Sequence, residues 1–289
     1  MDKVKIAVIG VGGIGGSHLA CIDRAENAQL VAVCDIIKDR ADETAAKWDV
    51  DAYYTHEELL EKADVDAITI GTPHYDHTPI AIHGLDAGKH VLTEKPIAVH
   101  VNDARKMIEA AERNPEQVFS AMFQLRVNPM WQRAKKLIDE GELGTITRIT
   151  WTVTTWFRSQ TYYDSGGWRA TWSGEGGGVL LNQCPHNLDI LQWLGGLPET
   201  VLAHVAIGKD HHIEVEDEVI AILTYPGGAT GTFITNTSEA PGSNRLEIAG
   251  DRGILVVEDG TLNFRRTTVS VKEFLKTTDT RFGIPEVWD

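Results

Sequence analysis

The sequence predicts a two-domain α/β protein: a doubly wound parallel sheet in the first part, and an α+β domain with a large, mostly antiparallel open sheet in the second. Two observations carry this. From residue 4 to residue 123 short apolar runs alternate with helical stretches, the pattern of right-handed strand–helix–strand crossovers. Beyond residue 146 the runs alternate apolar and polar residues and are joined by Gly- and Pro-rich turns, as antiparallel hairpins require. The last run of the first series, residues 118–123, leads into Gln124-Leu125-Arg126-Val127-Asn128-Pro129. The boundary is placed there, giving domains 1–123 and 124–289.

The 289 residues are enough to bury one large or two ordinary cores. A formal charge of −15 disfavours a nucleic-acid partner, because phosphate binding needs clustered Lys and Arg. No apolar run approaches the roughly 20 residues a bilayer requires. Cys21, Cys34 and Cys184 are odd in number and lack metal-ligand spacing. Met1-Asp2-Lys3-Val4 runs straight into a strand. The expectation is a reduced, cytoplasmic protein with neither membrane nor nucleic acid as partner. Five of the eight tryptophans fall between Trp151 and Trp193.

Residues 4–9 (VKIAVI) read as a strand that breaks into Gly10-Val11-Gly12-Gly13-Ile14-Gly15, followed by a helix. Gly10, Gly12 and Gly15 have the G-x-G-x-x-G spacing. One glycine permits the tight turn, one lets the backbone approach a pyrophosphate, and one allows close helix–strand packing. Strand 30–34 ends in Asp35, 20 positions after Gly15, where the Rossmann fingerprint places the acid that binds the adenosine ribose. Asp35 repels a 2′-phosphate, so NAD is expected over NADP; NADP stays open because Arg40 is within reach of the adenine. Helices over 41–50 and 57–62 lead to strand 66–70, which ends in Gly71-Thr72-Pro73-His74-Tyr75-Asp76-His77. Thr72, Pro73, His74 and His77 are expected to line the nicotinamide half. The histidines read as hydrogen-bonding groups, since nothing beside them completes a coordination set, and no metal is expected. A helix over 79–87 then gives way to Gly88-Lys89-His90-Val91-Leu92-Thr93-Glu94-Lys95-Pro96. Here a short strand delivers Glu94 and Lys95 to the carboxyl edge of the sheet, where open α/β sheets bind ligands. Pro96 ends the strand. A solvated surface lysine is the competing reading. Residues 102–113 complete the series as a helix.

In the second half, residues 131–139 read as a helix and 146–157 as a strand. Residues 162–172 form a loop too polar and glycine-rich to be core. Its aromatic faces, beside Arg and Asp, suit a polyol; packing under a long loop or at an oligomer contact is the alternative. Gly176-Gly177-Gly178 opens a segment running to residue 194 in which Asn182 and His186, four apart, would share a helical face. Pro185 argues instead for a kink or a restart, since an interior proline costs ~3 kcal/mol or more. Asp189 reads as structural. Strands over 201–207, 215–225 and 229–237, and a hairpin through Gly250-Asp251-Arg252-Gly253, build the antiparallel sheet. Residues 211–217 read as an acidic strand edge with solvated histidines.

Gly10/Gly12/Gly15, Asp35, Thr72-Pro73 with His77, and Gly88-Lys89-His90-Val91 with Glu94-Lys95-Pro96 resemble the Gfo/Idh/MocA oxidoreductases (glucose–fructose oxidoreductase and inositol 2-dehydrogenase among them). Gly176-Gly177-Gly178 with Asn182, His186 and Asp189 is similar to that family's second signature. The resemblance implies an NAD(P)-dependent dehydrogenase acting on a secondary alcohol of a sugar, sugar derivative or cyclitol. It implies Lys95, His186 and Asn182 as the catalytic group. His186 would take the hydroxyl proton, while Lys95 stabilises the developing alkoxide. Glu94 would orient Lys95 or touch the nicotinamide ribose. Asn182 stands where many relatives have aspartate. Glu94, Lys95 and Gln124 join the cofactor contacts; Lys95, Arg126, Tyr163, Trp168, Arg169, Asn182 and His186 become the substrate contacts. A homodimer or homotetramer through the C-terminal sheet is implied, with a C-terminal region shorter than usual for the family. A redox-neutral NAD-dependent glycosidase and a catalytically silent nucleotide-binding sensor are the rival readings.

Overall fold

A computed structural model describes residues 3–288, in two compact units: Met1–Met122 with Ser173–Gly176, and Phe123–Trp172 with Gly177–Asp289.

In the first unit the chain runs β1 (Val4–Ile9), α1 (Gly13–Arg24), β2 (Ala28–Cys34), α2 (Lys38–Trp48), β3 (Asp51–Tyr53), α3 (His56–Lys62), β4 (Ala67–Ile70), α4 (His77–Asp86), β5 (His90–Thr93), α5 (Val101–Arg113) and β6 (Phe119–Ala121). The strands form one sheet in the order β3-β2-β1-β4-β5-β6, every pair parallel. The expected doubly wound sheet is therefore present. Covered by helices on both faces, its strands are apolar at consecutive positions: Ala7, Val8 and Ile9 of β1 and Ile68 and Ile70 of β4 are all buried. The order of the strands reverses between β1 and β4, the crevice where such sheets take ligands. Helix α4 begins two residues before the expected start at Pro79. A proline in the first turn removes no intrahelical hydrogen bond, so it marks a helix entry without being the first residue.

The second unit continues with α6 (Pro129–Asp139), β7 (Ile146–Val153), α7 (Gln160–Asp164), α8 (Pro185–Gly195), β8 (Thr200–Ile207), β9 (Glu216–Thr224), β10 (Thr230–Asn236), β11 (Asn244–Gly250), β12 (Gly253–Glu258), β13 (Thr261–Thr267), α9 (Val271–Thr277) and β14 (Val287–Trp288). Its eight-stranded sheet has the order β14-β13-β12-β11-β7-β10-β9-β8. Only the β7–β10 pair is parallel. Trp131, Ala134 and Leu137 of α6 and Ile190, Leu191 and Leu194 of α8 share a core with Ile149, Trp151 and Val153 of β7. On strand positions outside that core, Leu202 is 72% and Ile222 53% exposed, and the two are paired across β8 and β9.

Three expectations need correction here. Strand β7 stops at Val153 rather than 157, because the Thr154 amide donates to Ser243 O, outside the ladder. Residues 162–172 are not coreless: Tyr163 and Ala170 pack with Val215 in a small cluster of their own. His211 is not solvated, since its Nδ1 lies 3.1 Å from Asp217 Oδ2 and its Nε2 2.9 Å from Arg158 O. Asp217 also accepts the Lys209 and Asp210 amides. Burial alone would raise its pKa, but these bonds hold it below the usual carboxylate value.

Candidate active site

The glycine loop divides its labour in the order its spacing implies. Gly10 takes φ +85°, and a Cβ there would lie 2.8 Å from Gly71 and Thr72 backbone atoms. A Cβ at Gly15 would lie 2.2 Å from Gly10 O, so α1 can approach β1 this closely only with glycine at that point. Gly13, in contrast, has nothing within 4 Å, and Gly12 has only Arg40 Nη1 at 3.8 Å. Open space thus lies over the part of the loop that leads into α1. That helix has no side-chain cap and no acid in its first turn, leaving its first N–H groups to an anion. Asp35, buried at the end of β2, accepts from Val11 N at 3.2 Å and Ile37 N at 2.9 Å, with Arg40 Nη1 at 3.2 Å. Thr72 Oγ1 is buried without a hydrogen-bond partner among the described residues, the kind of atom a ligand completes. A cradle, a buried acid at the end of β2 and an orphaned hydroxyl together fit a dinucleotide.

At the end of β5, Glu94 is buried with Oε1 2.9 Å from His18 Nε2 and Oε2 accepting the Lys95 amide at 3.1 Å. Burial works to raise the Glu94 pKa, yet the His18 and Lys95 bonds keep it below the ordinary value. Glu94 therefore fixes the backbone from which Lys95 projects. His18 went unnoticed in the sequence because only the fold brings α1 against β5. His77 was expected at the cofactor but is fully buried. Its ring nitrogens lie 2.8 Å from Pro96 O and 3.0 Å from Thr72 O, and burial pulls its pKa down. It ties the Thr72 loop to the Pro96 loop, a positioning role. His74 is also buried, with Nδ1 2.8 Å from Glu175 O.

In the second unit, β9 holds the turn that feeds α8. The buried Glu216 carboxylate accepts Gly178 N at 3.0 Å and Leu180 N at 3.1 Å, and a Cβ at Gly178 would lie 2.0 Å from Glu216 O. Helix α8 starts at Pro185. The restart reading is the correct one, so Asn182 precedes the helix and shares no helical face with His186. His186 is 9% exposed. Its Nε2 is 3.2 Å from Gln124 Nε2, and its ring meets Phe123 edge-on at 6.0 Å. Gln124, expected at the cofactor, is thus a neighbour of His186, and its amide orientation selects the imidazole tautomer.

Residues 4–122 match an oxidoreductase family with an NAD-binding Rossmann fold, and residues 131–256 match the GFO/IDH/MocA C-terminal domain. The trans-1,2-dihydrobenzene-1,2-diol dehydrogenase of Bos taurus is 32% identical over 244 residues, 83% of this chain and 69% of its own. The chain belongs to the Gfo/Idh/MocA oxidoreductase family. It is similar, too, to the scyllo-inositol 2-dehydrogenase (NAD(+)) of Bacillus subtilis, 28% identical across 92% of this chain and 77% of that one. The solved WlbA dehydrogenase of Chromobacterium violaceum, in complex with NADH and UDP-GlcNAcA, is similar with a TM-score of 0.87 at 29% identity, over 96% of this chain and 81% of that one. As a member of the Gfo/Idh/MocA family the protein is an NAD-dependent oxidoreductase, and the loop geometry above fits that dinucleotide.

Two expected substrate contacts are displaced. Tyr163 lies in the small core, its hydroxyl donating to Thr237 Oγ1 at 2.9 Å, and burial pushes its pKa up to about 12. Tyr163→Phe is accordingly expected to lower stability by about 1 kcal/mol in chemical denaturation, with KM unchanged. Arg126 spends its fork on Asp189 at 2.6 and 2.8 Å and lies over Trp193, so Asp189 is structural and takes Arg126 with it. Arg169 and Asn182 instead gather around Tyr162, which the sequence reading passed over, and Trp168 packs on Arg169. Arg169 Nη1 donates to Tyr162 Oη at 2.9 Å and Asn182 Nδ2 lies 3.4 Å from the same oxygen. The tryptophan cluster divides accordingly: Trp151 is core, Trp156 donates to Asn187, and Trp168 and Trp193 each carry an arginine. Among the described residues, His56, Glu57 and His83 bring ligand-type atoms within 4.8 Å of one another. The 2.8 Å between His56 Nε2 and His83 Nδ1 is a hydrogen bond linking α3 to α4. No helix among the described residues is long and apolar enough to cross a membrane.

Proposed function

We propose that the protein is a dehydrogenase for a secondary alcohol of a sugar, sugar derivative or cyclitol, with residues 1–123 serving the dinucleotide and 124–289 the substrate. The observation that carries this reading is the pair of supported side chains. Lys95 follows a carboxylate buried against His18, and His186 is a nearly buried imidazole oriented by Gln124. Relatives named for inositol and dihydrodiol oxidation support the substrate class. In this reading the glycine loop at 10–15, Asp35 and Thr72 would hold the dinucleotide, which when bound would supply the acceptor for the hydride of the alcohol carbon. His186 takes the hydroxyl proton, and Lys95 donates a charge-assisted hydrogen bond to the oxygen as negative charge develops on it. Asn182 adds a hydrogen bond without the charge an aspartate would give to a protonated imidazole. Asp35 favours NAD over NADP by repelling a 2′-phosphate, and Arg40 is paired with that same carboxylate.

NADH formation over a panel of sugars, sugar acids and inositols tests the reading, with His186→Ala beside it. The variant is expected to lose ~10²- to 10⁴-fold in kcat/KM, the usual worth of a positioned base. Cleavage of a glycoside without NADH accumulation would instead identify the redox-neutral glycosidase, and cofactor binding without turnover the silent sensor. The open face bearing Leu202 and Ile222 supports a homo-oligomer joined through the second unit's sheet. Light scattering is expected to give a dimer or tetramer, and Leu202→Glu to shift it toward monomer. A monomeric wild type at micromolar concentration would remove that part of the reading.

A further inference from the structure

We propose that Arg158, Tyr162 and Arg169 form a receptor for an oxyanion, so that the sugar this enzyme takes carries a carboxylate or a phosphate; the inference rests on the carbohydrate reading above. Both guanidiniums pack on one phenol ring, the Arg169 carbon 4.6 Å and the Arg158 carbon 5.0 Å from the Tyr162 centroid. Trp168 lies 4.7 Å from Arg169 and Trp156 5.7 Å from Arg158. Aromatic faces attract and hold a cation without neutralising it. Neither arginine makes an ion pair among the described residues, although the chain has 42 acidic residues against 27 basic ones. Elsewhere in the same unit Arg126, Arg148, Arg245 and Arg266 each hold a carboxylate. Two cations on one ring without a counter-ion, in a chain this acidic, call for an anion from outside.

The polar groups left over specify its chemistry. Arg158 spends Nη1 on Phe157 O, and Arg169 spends Nη1 on Tyr162 Oη. Asn182 Nδ2 and Gln183 Nε2 each lie 3.4 Å from that same phenol oxygen. Three N–H groups converge on it, so the Tyr162 proton is left to donate, and no acceptor for it lies among the described residues. The remaining guanidinium N–H groups and this O–H are donors only. A sugar hydroxyl offers a donor with its acceptors and matches such a set poorly, whereas the oxygens of a carboxylate or phosphate only accept. Asn182 and Gln183 belong to the turn that leads into α8 and His186, so one segment serves both the anion and the proposed base.

The test is calorimetric titration of the NADH-loaded protein with glucuronate, galacturonate and glucose 6-phosphate, each against its neutral parent, glucose or galactose. At least one anion is expected to bind roughly tenfold or more tighter than its parent, with the advantage shrinking as salt rises. Whether uronates or the phosphate gain identifies the group. Arg158→Gln and Arg169→Gln are each expected to abolish the advantage. Arg169→Lys, which keeps the charge but not the planar fork, is expected to reduce it and covers the case in which the glutamine variant does not fold. No advantage for any anion, or one that survives in folded variants of both arginines, overturns the proposal. NADH formation separates the two readings. An anion that binds through the arginines but is not oxidised defeats the dehydrogenase reading alone, whereas neutral sugars oxidised as efficiently as their acids defeat the receptor alone.

Discussion

Lys95→Met is expected to lower kcat/KM by about 10³-fold, close to 4 kcal/mol of transition-state stabilisation, while NADH affinity stays within about threefold. Methionine keeps most of the lysine stem and removes only the ammonium, so the change isolates the charge. The size of the effect follows from how the residue is mounted. Its amide is held by Glu94 Oε2, and the other oxygen of that carboxylate is engaged by His18, so the ammonium springs from fixed backbone at the end of β5. A charge that needs no reorganisation as the alkoxide forms is worth far more than a mobile one. Steady-state rates on whichever alcohol the panel identifies, with NADH binding measured by fluorescence, check both halves. A loss below about tenfold would assign the lysine to binding or structure.

The first unit was legible in the sequence because each of its devices is local. A strand buried on both faces must be apolar there, and β1 is from Ile6 to Ile9. The cradle must bring α1 within contact of β1, and only the glycine spacing allows it. Lys95 was legible because its strand, its acid and its proline are contiguous. What escaped the reading depends on long-range pairing. His18 and Glu94 are 76 residues apart, and nothing in either neighbourhood announces the other. Arg126 looked available because Asp189 lies 63 positions away. His77 sat in the expected loop but faced inward, since the carbonyls of Thr72 and Pro96 needed a donor between them.

The second unit was read correctly as a sheet and misread around its loops. Alternation and turn residues fix hairpins such as β9–β10, whose partners are neighbours in sequence. The choice between Tyr162 and Tyr163 is different. The two are adjacent on α7, and which one turns into the small core depends on Val215 and Thr237 from distant strands. Composition identified the aromatic–arginine segment as a binding surface candidate, but only the packing shows which tyrosine presents its ring to the arginines.

Gly15→Ala is expected to destabilise the protein by roughly 3 kcal/mol or more, the upper range for overpacking a site that has no room to yield. The added methyl would lie 2.2 Å from Gly10 O and 3.1 Å from Gly10 C, both backbone atoms, so no rotamer change relieves the overlap. Gly10 has no retreat either, because it takes φ +85° and is itself packed on Gly71 and Thr72. Helix α1 must therefore move away from β1, carrying with it the N–H groups of its first turn. NADH affinity is expected to fall by about 100-fold or more, and the thermal midpoint by about 6–12 °C for that loss of stability. Gly16→Ala, one residue further along the same helix, supplies the opposite sign. Nothing lies within 4 Å of a Cβ there, and replacing glycine inside a helix gains about 0.5–1 kcal/mol. The two variants differ by one position and carry the same added methyl. If both lowered the midpoint equally, general sensitivity of α1 would explain the result. If only Gly15→Ala did so and lost NADH, the close approach of α1 to β1 is what builds the dinucleotide cradle.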